Sequence, residues 1–401
     1  MKYSLIQNAQ HLLKNIAYMT PMDYGETFSK LSGNNVYLKL ENLQKTGSFK
    51  IRGAYNKILS LNHKEQRNGV IAVSAGNHAQ GVAFASRLAG ITSTIIMPIS
   101  APLAKVQATK NYGSEVVLYG ETFDDALEYA KTHQQKTSKT FIHPFDDELI
   151  IAGQGTVGLE IMSQLPEIEA IVCPIGGGGL IAGIAIAVKT LKPSVKIYGV
   201  ESAACPSMTT SLKENKPVKV LSSDTIADGI AVKQPSDLTY TIVKKYIDDI
   251  VLVDDLEISS TMFYLMERGK LIVEGSGAAA LAALLYHKLP FKGKNVVPII
   301  SGGNVDMNFL SKIIEHSLAE DGRFITISII SKDKPDCLDD VLQIISREKA
   351  NITSLRHHRT APHILPNQVE VELSLETRNH THIDQIKKAL LHAGFHFNSK
   401  N

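Results

Sequence analysis

Ala170-Ile171-Val172-Cys173-Pro174-Ile175-Gly176-Gly177-Gly178-Gly179-Leu180 runs from an unbroken apolar segment into four glycines and on into a helical stretch beginning near Ile181. A short continuous apolar run is the pattern of a strand buried on both faces, as in a parallel sheet covered by helices. Four successive glycines are entropically costly to order. They permit a backbone that no side-chain-bearing residue can follow, with its amides turned inward, and a phosphate is the natural guest. A dinucleotide loop and a connection without ligand are the rival readings. A glycine run meets the Gly-x-Gly-x-x-Gly spacing only trivially, and no Gly-Lys-Ser/Thr follows the loop.

The same grammar repeats on either side. Gly69-Val70-Ile71-Ala72-Val73 ends in Ser74-Ala75-Gly76-Asn77-His78-Ala79-Gln80-Gly81, with helical spacing from Ala79 to Leu88. Small residues there turn the first amides of a helix toward an anion, a carboxylate or a phosphate. An ordinary turn capped by Asn77 and His78 is the plain alternative. Asn295-Val296-Val297-Pro298-Ile299-Ile300 ends in Ser301-Gly302-Gly303-Asn304, where a serine can hydrogen-bond a ring nitrogen. Alone, such a Ser-Gly turn means nothing. Ser93–Pro98, Glu115–Tyr119 and Lys196–Glu201 read as further strands with helices between them. The alternation predicts an α/β fold of parallel sheets, whose ligands bind at the carboxyl ends of strands. All three turns lie at such ends.

Ser48-Phe49-Lys50-Ile51-Arg52-Gly53-Ala54 places a lysine at the end of a polar turn and the start of a helix. A lysine amine of lowered pKa condenses with an aldehyde cofactor. Most lysines are solvated surface groups, so Lys50 gains meaning only beside the three turns.

Composition narrows the class. An apolar fraction of 44% and a charged fraction of 20% are those of a globular protein, and 401 residues allow two or three domains. A net charge of +2 without a basic stripe disfavours nucleic acid. Cys173, Cys205 and Cys337 form no Cys-x-x-Cys pair, which argues against a disulfide framework and a cysteine zinc site and fits a reducing compartment. The N-terminus has no apolar core of signal-peptide length, and Leu180–Val188 is too short to span a bilayer. A cytoplasmic protein without a membrane partner is expected.

The pattern changes near Asp321-Gly322. Phe324–Ile329 alternates like a half-buried strand, and Leu338, Val341, Leu342 and Ile345 keep helical spacing. Strands follow at Ile352–Arg359 and Val369–Glu376, then a helix marked by Ile383, Ile386 and Leu390, and a last strand from about Gly394. This β-α-β-β-α-β order is ferredoxin-like and divides the chain into residues 1–320 and 321–401. His357-His358 and His380-x-His382 read as solvated polar positions, since no cysteine or carboxylate cluster joins them in a metal site.

Taken together, Ser48–Ala54, Ser74–Gly81, His143-Pro144-Phe145-Asp146, Gly153-Gln154-Gly155-Thr156, Gly176–Leu180, Ala227-Asp228-Gly229 and Ser301–Asn304 resemble the fold-type II pyridoxal-phosphate enzymes, most closely the threonine and serine dehydratases. The resemblance covers roughly residues 5–318. It implies two parallel-sheet α/β lobes of the tryptophan-synthase-β kind, and the C-terminal part looks like a regulatory ACT domain.

The resemblance also implies roles. Lys50 would hold pyridoxal phosphate and, once released, move the substrate α-proton; Phe49 would pack against the cofactor and Asn77 would bond its ring hydroxyl. Gly176, Gly177, Gly178, Gly179 and Leu180 would cradle the phosphate, and Ser301 would face the ring nitrogen. Ser74, Ala75, Gly76, Asn77 and His78 would hold the substrate carboxylate. A neutral serine cannot keep the ring nitrogen protonated as an aspartate would, so prompt loss of a β-hydroxyl is favoured over a long-lived carbanion. The implied reaction converts L-threonine to 2-oxobutyrate and ammonia, with L-serine a secondary substrate. A homo-oligomer, dimer or tetramer, is implied as well.

Two positions depart from related serine racemases. Ala75 stands where they carry a second serine, so racemisation should be weak. Glu201 matches one of their divalent-ion ligands, but Cys205-Pro206-Ser207 supplies no aspartate, and no required divalent metal is expected. In the ACT-like part, Lys334-Pro335-Asp336-Cys337-Leu338 replaces the usual Pro-Gly turn, so an amino-acid effector site there is altered or lost, or the domain is kept for dimer packing. Two other functions stay open: a β-replacement enzyme of the cysteine-synthase type, and a non-catalytic amino-acid sensor.

Overall fold

The computed structural model describes residues 1–360 and 362–400, and the chain divides into two compact units, 1–306 and 307–401. In the first unit a six-stranded sheet has the spatial order Met22–Tyr24, Asn35–Lys39, Asn295–Pro298, Ala170–Pro174, Lys196–Ser202, Asp249–Val253. Every pairing is parallel except that of Met22–Tyr24 with Asn35–Lys39. A second, four-stranded sheet is parallel throughout, in the order Glu115–Leu118, Ser93–Met97, Val70–Val73, Thr140–Phe141. The continuous apolar runs are therefore interior strands: all five residues of Ala170–Pro174 and all four of Val70–Val73 are buried.

Register brings the turns together. Pro298 lies opposite Val172, so the loops that begin at Ile175 and Ile299 leave the same edge of the large sheet side by side. The first opens helix Gly179–Leu191 and the second carries Ser301. In the small sheet, Val73 leads through the Ser74 turn into helix Asn77–Ala89.

Helices Lys50–Leu59 and Glu148–Gln164 cross at Gly53 and Gly153, where a Cβ on Gly153 would run into the Arg52 carbonyl and the Gly53 Cα. Gly155 makes a similar close approach to the Gly183 backbone on helix Gly179–Leu191. The Gly153-Gln154-Gly155 motif is thus a packing device that brings three helices into close backbone contact. Gln154 Oε1 completes the crossing by accepting the Gly53 N–H at 3.1 Å.

In the second unit, helix Met307–Glu320 precedes a four-stranded antiparallel sheet ordered Asn351–His358, Gln368–Glu376, Phe324–Lys332, Phe397–Lys400. Helices Cys337–Arg347 and His380–His392 bury Val341, Ile345, Ile383, Ile386 and Leu390 against Ile325, Ile327, Ile329, Val371, Leu373 and Leu375 of the sheet. This is the expected ferredoxin-like order.

His382 is not solvated. It is buried, its Nδ1 accepts the Arg378 N–H at 3.1 Å, and its Nε2 donates to the Glu348 carbonyl at 2.8 Å. Both ring nitrogens are spent on backbone, which makes it a structural core histidine. His357 and His358 are exposed, as expected.

Candidate active site

The segment ahead of Lys50 is stitched to the Ser301 turn. The Phe49 N–H donates to the Ser301 carbonyl at 3.3 Å, the Gly303 N–H donates to the Gly47 carbonyl at 2.9 Å, and Ser48 bridges Gly302. This places Lys50, the first residue of its helix, beside Ser301 from the far end of the chain. Lys50 Nζ donates to the Pro144 carbonyl at 3.1 Å and lies 5.3 Å from the centre of the Phe49 ring. Burial pulls the Lys50 amine down to about 8, and the charge of Glu274 offsets part of that pull. Only the neutral amine condenses with an aldehyde. Uptake of pyridoxal phosphate by the apoprotein should therefore accelerate about tenfold per pH unit up to about 8 and level off above it. Stopped-flow absorbance measures this, and a flat profile through neutral pH would contradict the assignment.

Asn77 opens helix Asn77–Ala89, and its Nδ2 donates to Glu274 Oε1 at 2.6 Å. Glu274 is a site residue that the sequence reading missed. It precedes helix Gly275–Leu285, its N–H donates to the Gly302 carbonyl at 3.1 Å, and a Cβ on Gly302 would collide with its carboxyl. Burial, reinforced by the charge of Asp228, pushes its carboxyl up to about 7. Glu274 can thus hold or release a proton near neutral pH. Its only sequence signal is a glutamate set among small residues in Val273-Glu274-Gly275-Ser276-Gly277.

The Ser74–His78 turn is ordered from within. Ser74 Oγ accepts the Gly76 N–H at 3.1 Å. His78 Nε2 donates to the Ile142 carbonyl at 2.8 Å, and burial together with the Lys50 charge lowers its pKa to about 3. His78 is neutral, so what it offers an anion is its main-chain N–H at the helix start.

In the Gly176–Gly179 loop only Gly178 needs a left-handed backbone, at φ +88°. The other three are glycine for want of space. A Cβ on Gly177 would overlap the Phe145 ring, one on Gly179 would press on Phe145 Cβ, and one on Gly176 would press on Ile230. The sequence argument from backbone freedom thus holds at one position and gives way to steric contact at three. Gly177→Ala should weaken pyridoxal phosphate binding by at least about tenfold, equivalent to about 1.4 kcal/mol, at the low end of overpacking penalties. Fluorescence titration of the apoprotein reads it, and unchanged affinity would count against a phosphate cradle at this loop.

Ser301 is buried, and its Oγ donates to the Ser276 carbonyl at 3.3 Å. That is long for a hydroxyl donor, so the hydrogen is free to turn toward a better acceptor. Beneath the site, Arg52 joins Glu41 and Glu160 with contacts of 2.6–3.0 Å, and Lys39 Nζ meets Glu160 Oε2 at 2.6 Å. Burial alone would lower Arg52, but the two carboxylates outweigh it and raise its pKa.

These residues suit a phosphorylated aromatic aldehyde. A glycine loop opens a helix, Lys50 can shed its proton, and the Ser48 and Thr46 hydroxyls are buried without a partner. Residues 13–302 match the family described as pyridoxal-phosphate dependent enzymes, and residues 323–393 match the ACT domain. The chain belongs to the pyridoxal-phosphate dependent enzymes and carries an ACT domain behind the catalytic part. It is 47% identical over 390 residues to an L-threonine ammonia-lyase of Thermotoga maritima, covering 97% of either chain. It is 45% identical over 311 residues to the catabolic L-threonine dehydratase of Escherichia coli strain K12, covering 77% of this chain and 94% of that one. The processed form of threonine deaminase isoform 2 from Solanum lycopersicum superposes with a TM-score of 0.75 at 41% identity, over 78% of this chain and 87% of that one.

Proposed function

We propose that this chain converts L-threonine to 2-oxobutyrate and ammonia by pyridoxal-phosphate-dependent elimination, with slower turnover of L-serine to pyruvate. The observation that carries the reading is the convergence of Lys50, the Asn77–Glu274 pair, the glycine loop and Ser301 at the carboxyl ends of parallel strands. Bound there, pyridoxal phosphate supplies the electron sink that makes the α-hydrogen of an amino acid acidic. Lys50 holds the cofactor and moves the α-proton, and Phe49 packs beside it. The amides of Gly176–Gly179 and Leu180 would hold the phosphate, Asn77 would bond the ring hydroxyl, and Ser301 would face the ring nitrogen. Residues Ser74–His78 hold the substrate carboxylate with main-chain N–H groups. Ala75 brings no proton to the opposite face of the α-carbon, which disfavours racemisation.

Serine lacks one methyl of threonine, and a methyl in a pocket discriminates by only about 1–3 kcal/mol. The test is release of 2-oxobutyrate from L-threonine by purified, cofactor-loaded protein. No oxoacid from either substrate would sink the reading in favour of a replacement enzyme or a sensor.

No divalent metal is needed in this reading. The Glu201 carboxylate already accepts three hydrogen bonds, from the Met208 N–H at 2.7 Å, the Thr209 N–H at 2.8 Å and Thr209 Oγ1 at 2.6 Å. Chelation with EDTA should leave kcat within about twofold, less than one lost hydrogen bond would remove; a larger loss restored by magnesium would refute this.

Among the described residues no helix is long and apolar enough to cross a membrane. A cytoplasmic homo-oligomer is part of the proposed reading and rests on the resemblance to the dehydratases. Residues 1–320 form the catalytic domain in this reading, and 321–401 the regulatory one. Asp336 stands exposed at the start of helix Cys337–Arg347 without capping it, so an effector there meets an added negative charge.

A further inference from the structure

Asn304 closes the Ser301–Asn304 turn, and its side chain has no role in the reading above. Its Nδ2 lies 2.7 Å from the Thr46 carbonyl oxygen and 2.7 Å from Asn77 Oδ1. Hydrogen-bond chemistry fixes these atom identities in sequence. A backbone carbonyl only accepts, so the Asn304 atom facing it is the amide nitrogen. The second hydrogen of that nitrogen needs an acceptor, so the Asn77 atom it meets is the oxygen. Asn77 Nδ2 is thereby turned to the other side, where it gives one hydrogen to Glu274 Oε1 at 2.6 Å and keeps a second. An asparagine left alone has no such preference, because the two ends of its amide are nearly equal in size and shape.

The anchor is itself constrained. Thr46 has φ +64°, a left-handed conformation uncommon for a β-branched residue. The Gly47 N–H donates to the Gln44 carbonyl at 2.8 Å, and the Gly47 carbonyl accepts the Gly303 N–H at 2.9 Å. Gly47, at φ +72°, leaves the Asn304 amide the space that a Cβ would fill.

We propose that Asn304 is a positioning residue that sets the amide orientation of Asn77, so that Asn77 presents an N–H and not its carbonyl to the ring hydroxyl of the bound cofactor. This rests on the reading of Asn77 given under the proposed function. A donor at that oxygen favours its ionised form, and a carbonyl there would disfavour it. The same amide nitrogen holds the loop four residues ahead of Lys50, so the two groups that grip the cofactor ring share one support.

The test uses full-length protein loaded with pyridoxal phosphate, without substrate, and follows the pH titration of the cofactor's absorption spectrum. Asn304→Asp is isosteric but sets a carboxylate oxygen against both Asn77 Oδ1 and the Thr46 carbonyl, which turns the Asn77 amide over and gives up the Thr46 contact. Asn304→Ala removes one of the two contacts that orient the amide and leaves Glu274 Oε1 alone to hold it, so the reversed orientation gains only part of the population. The expected order is a spectral transition displaced by about one pH unit or more in Asn304→Asp and by less in Asn304→Ala. Turnover should show a kcat about 10- to 100-fold lower in Asn304→Asp, with a smaller change in KM. A packing role predicts the reverse order, because aspartate fills the space and alanine does not. Titrations equal to wild type in both variants, or displaced further in Asn304→Ala, overturn the proposal.

Should Asn304→Asp fail to fold, a second measurement decides. In an Asn77→Ala background, Asn304→Ala should move the titration no further, and an additive displacement overturns the proposal. The spectra are recorded without substrate, so they judge Asn304 whether or not L-threonine is turned over. Absence of 2-oxobutyrate would count against the functional reading alone.

Discussion

Lys50→Ala is expected to lower 2-oxobutyrate release from L-threonine by about 10⁴-fold or more, the upper range for loss of a positioned acid–base group. Lys50 has two tasks in the proposed reaction, holding the cofactor and moving the α-proton, and no other described lysine shares its place between Pro144, Phe49 and Ser301. The loss should lie in kcat, with folding intact. Lys50 Nζ makes one hydrogen bond to a carbonyl, and its charge is disfavoured by burial. The sign of the stability effect follows from that shift. The folded-state value of about 8 lies below the ordinary 10.5, so the unfolded chain binds the proton more tightly in between. Wild-type stability therefore rises with pH through that window, and the alanine variant loses that slope. At neutral pH, the variant should melt no lower than wild-type apoprotein. Residual turnover above one part in about a thousand would reassign the proton transfer.

Arg52→Met should cost about 3–5 kcal/mol of stability, the usual penalty for breaking a buried ion pair from one side. Glu41 is fully buried and receives Nε and Nη2 of Arg52 at 2.8 and 2.7 Å, and Glu160 receives Nη1 at 2.6 Å. Without Arg52, Lys39 is left to balance two carboxylates. Burial pushes the Glu41 carboxyl up, but the charge and hydrogen bonds of Arg52 bring it below its ordinary value. That contribution is present above pH 4.5 and fades as pH falls through the lowered folded-state value. The gap between wild type and variant is thus widest near neutral pH and narrows in acid, where Glu41 takes up a proton. Urea titrations at the two pH values test both points, and adding Glu41→Gln to the variant should recover part of the loss. A deficit under about 1 kcal/mol would mean that water reaches the network.

The strands and the turns at their ends were legible because interior parallel strands are written as unbroken apolar runs, and each candidate turn follows one directly. Ala170–Pro174 and Val70–Val73 are such cases. Lys50 was legible by the company it keeps along the chain. Glu274 was not, since a single glutamate before a small-residue helix reads as surface until the Gly302 backbone is folded over it. Gly53, Gly153, Gly155 and Gly177 matter through what lies opposite them, and single-sequence spacing carries no such information. His382 was misjudged for the same reason, because the carbonyl that satisfies it belongs to Glu348, 34 residues away.

The pairing of Ser48 and Phe49 with Ser301 and Gly302 bears on the order of events during synthesis. Lys50 leaves the ribosome early, but the strand partner that orients its loop is about 250 residues behind it. At roughly 5–20 residues per second, the lysine waits some ten seconds to a minute for its surroundings. Until then, an aldehyde in the cell meets it as one amine among many. In the proposed reading, a nascent chain halted before Gly302 has the lysine but lacks the strand partner that orients its loop.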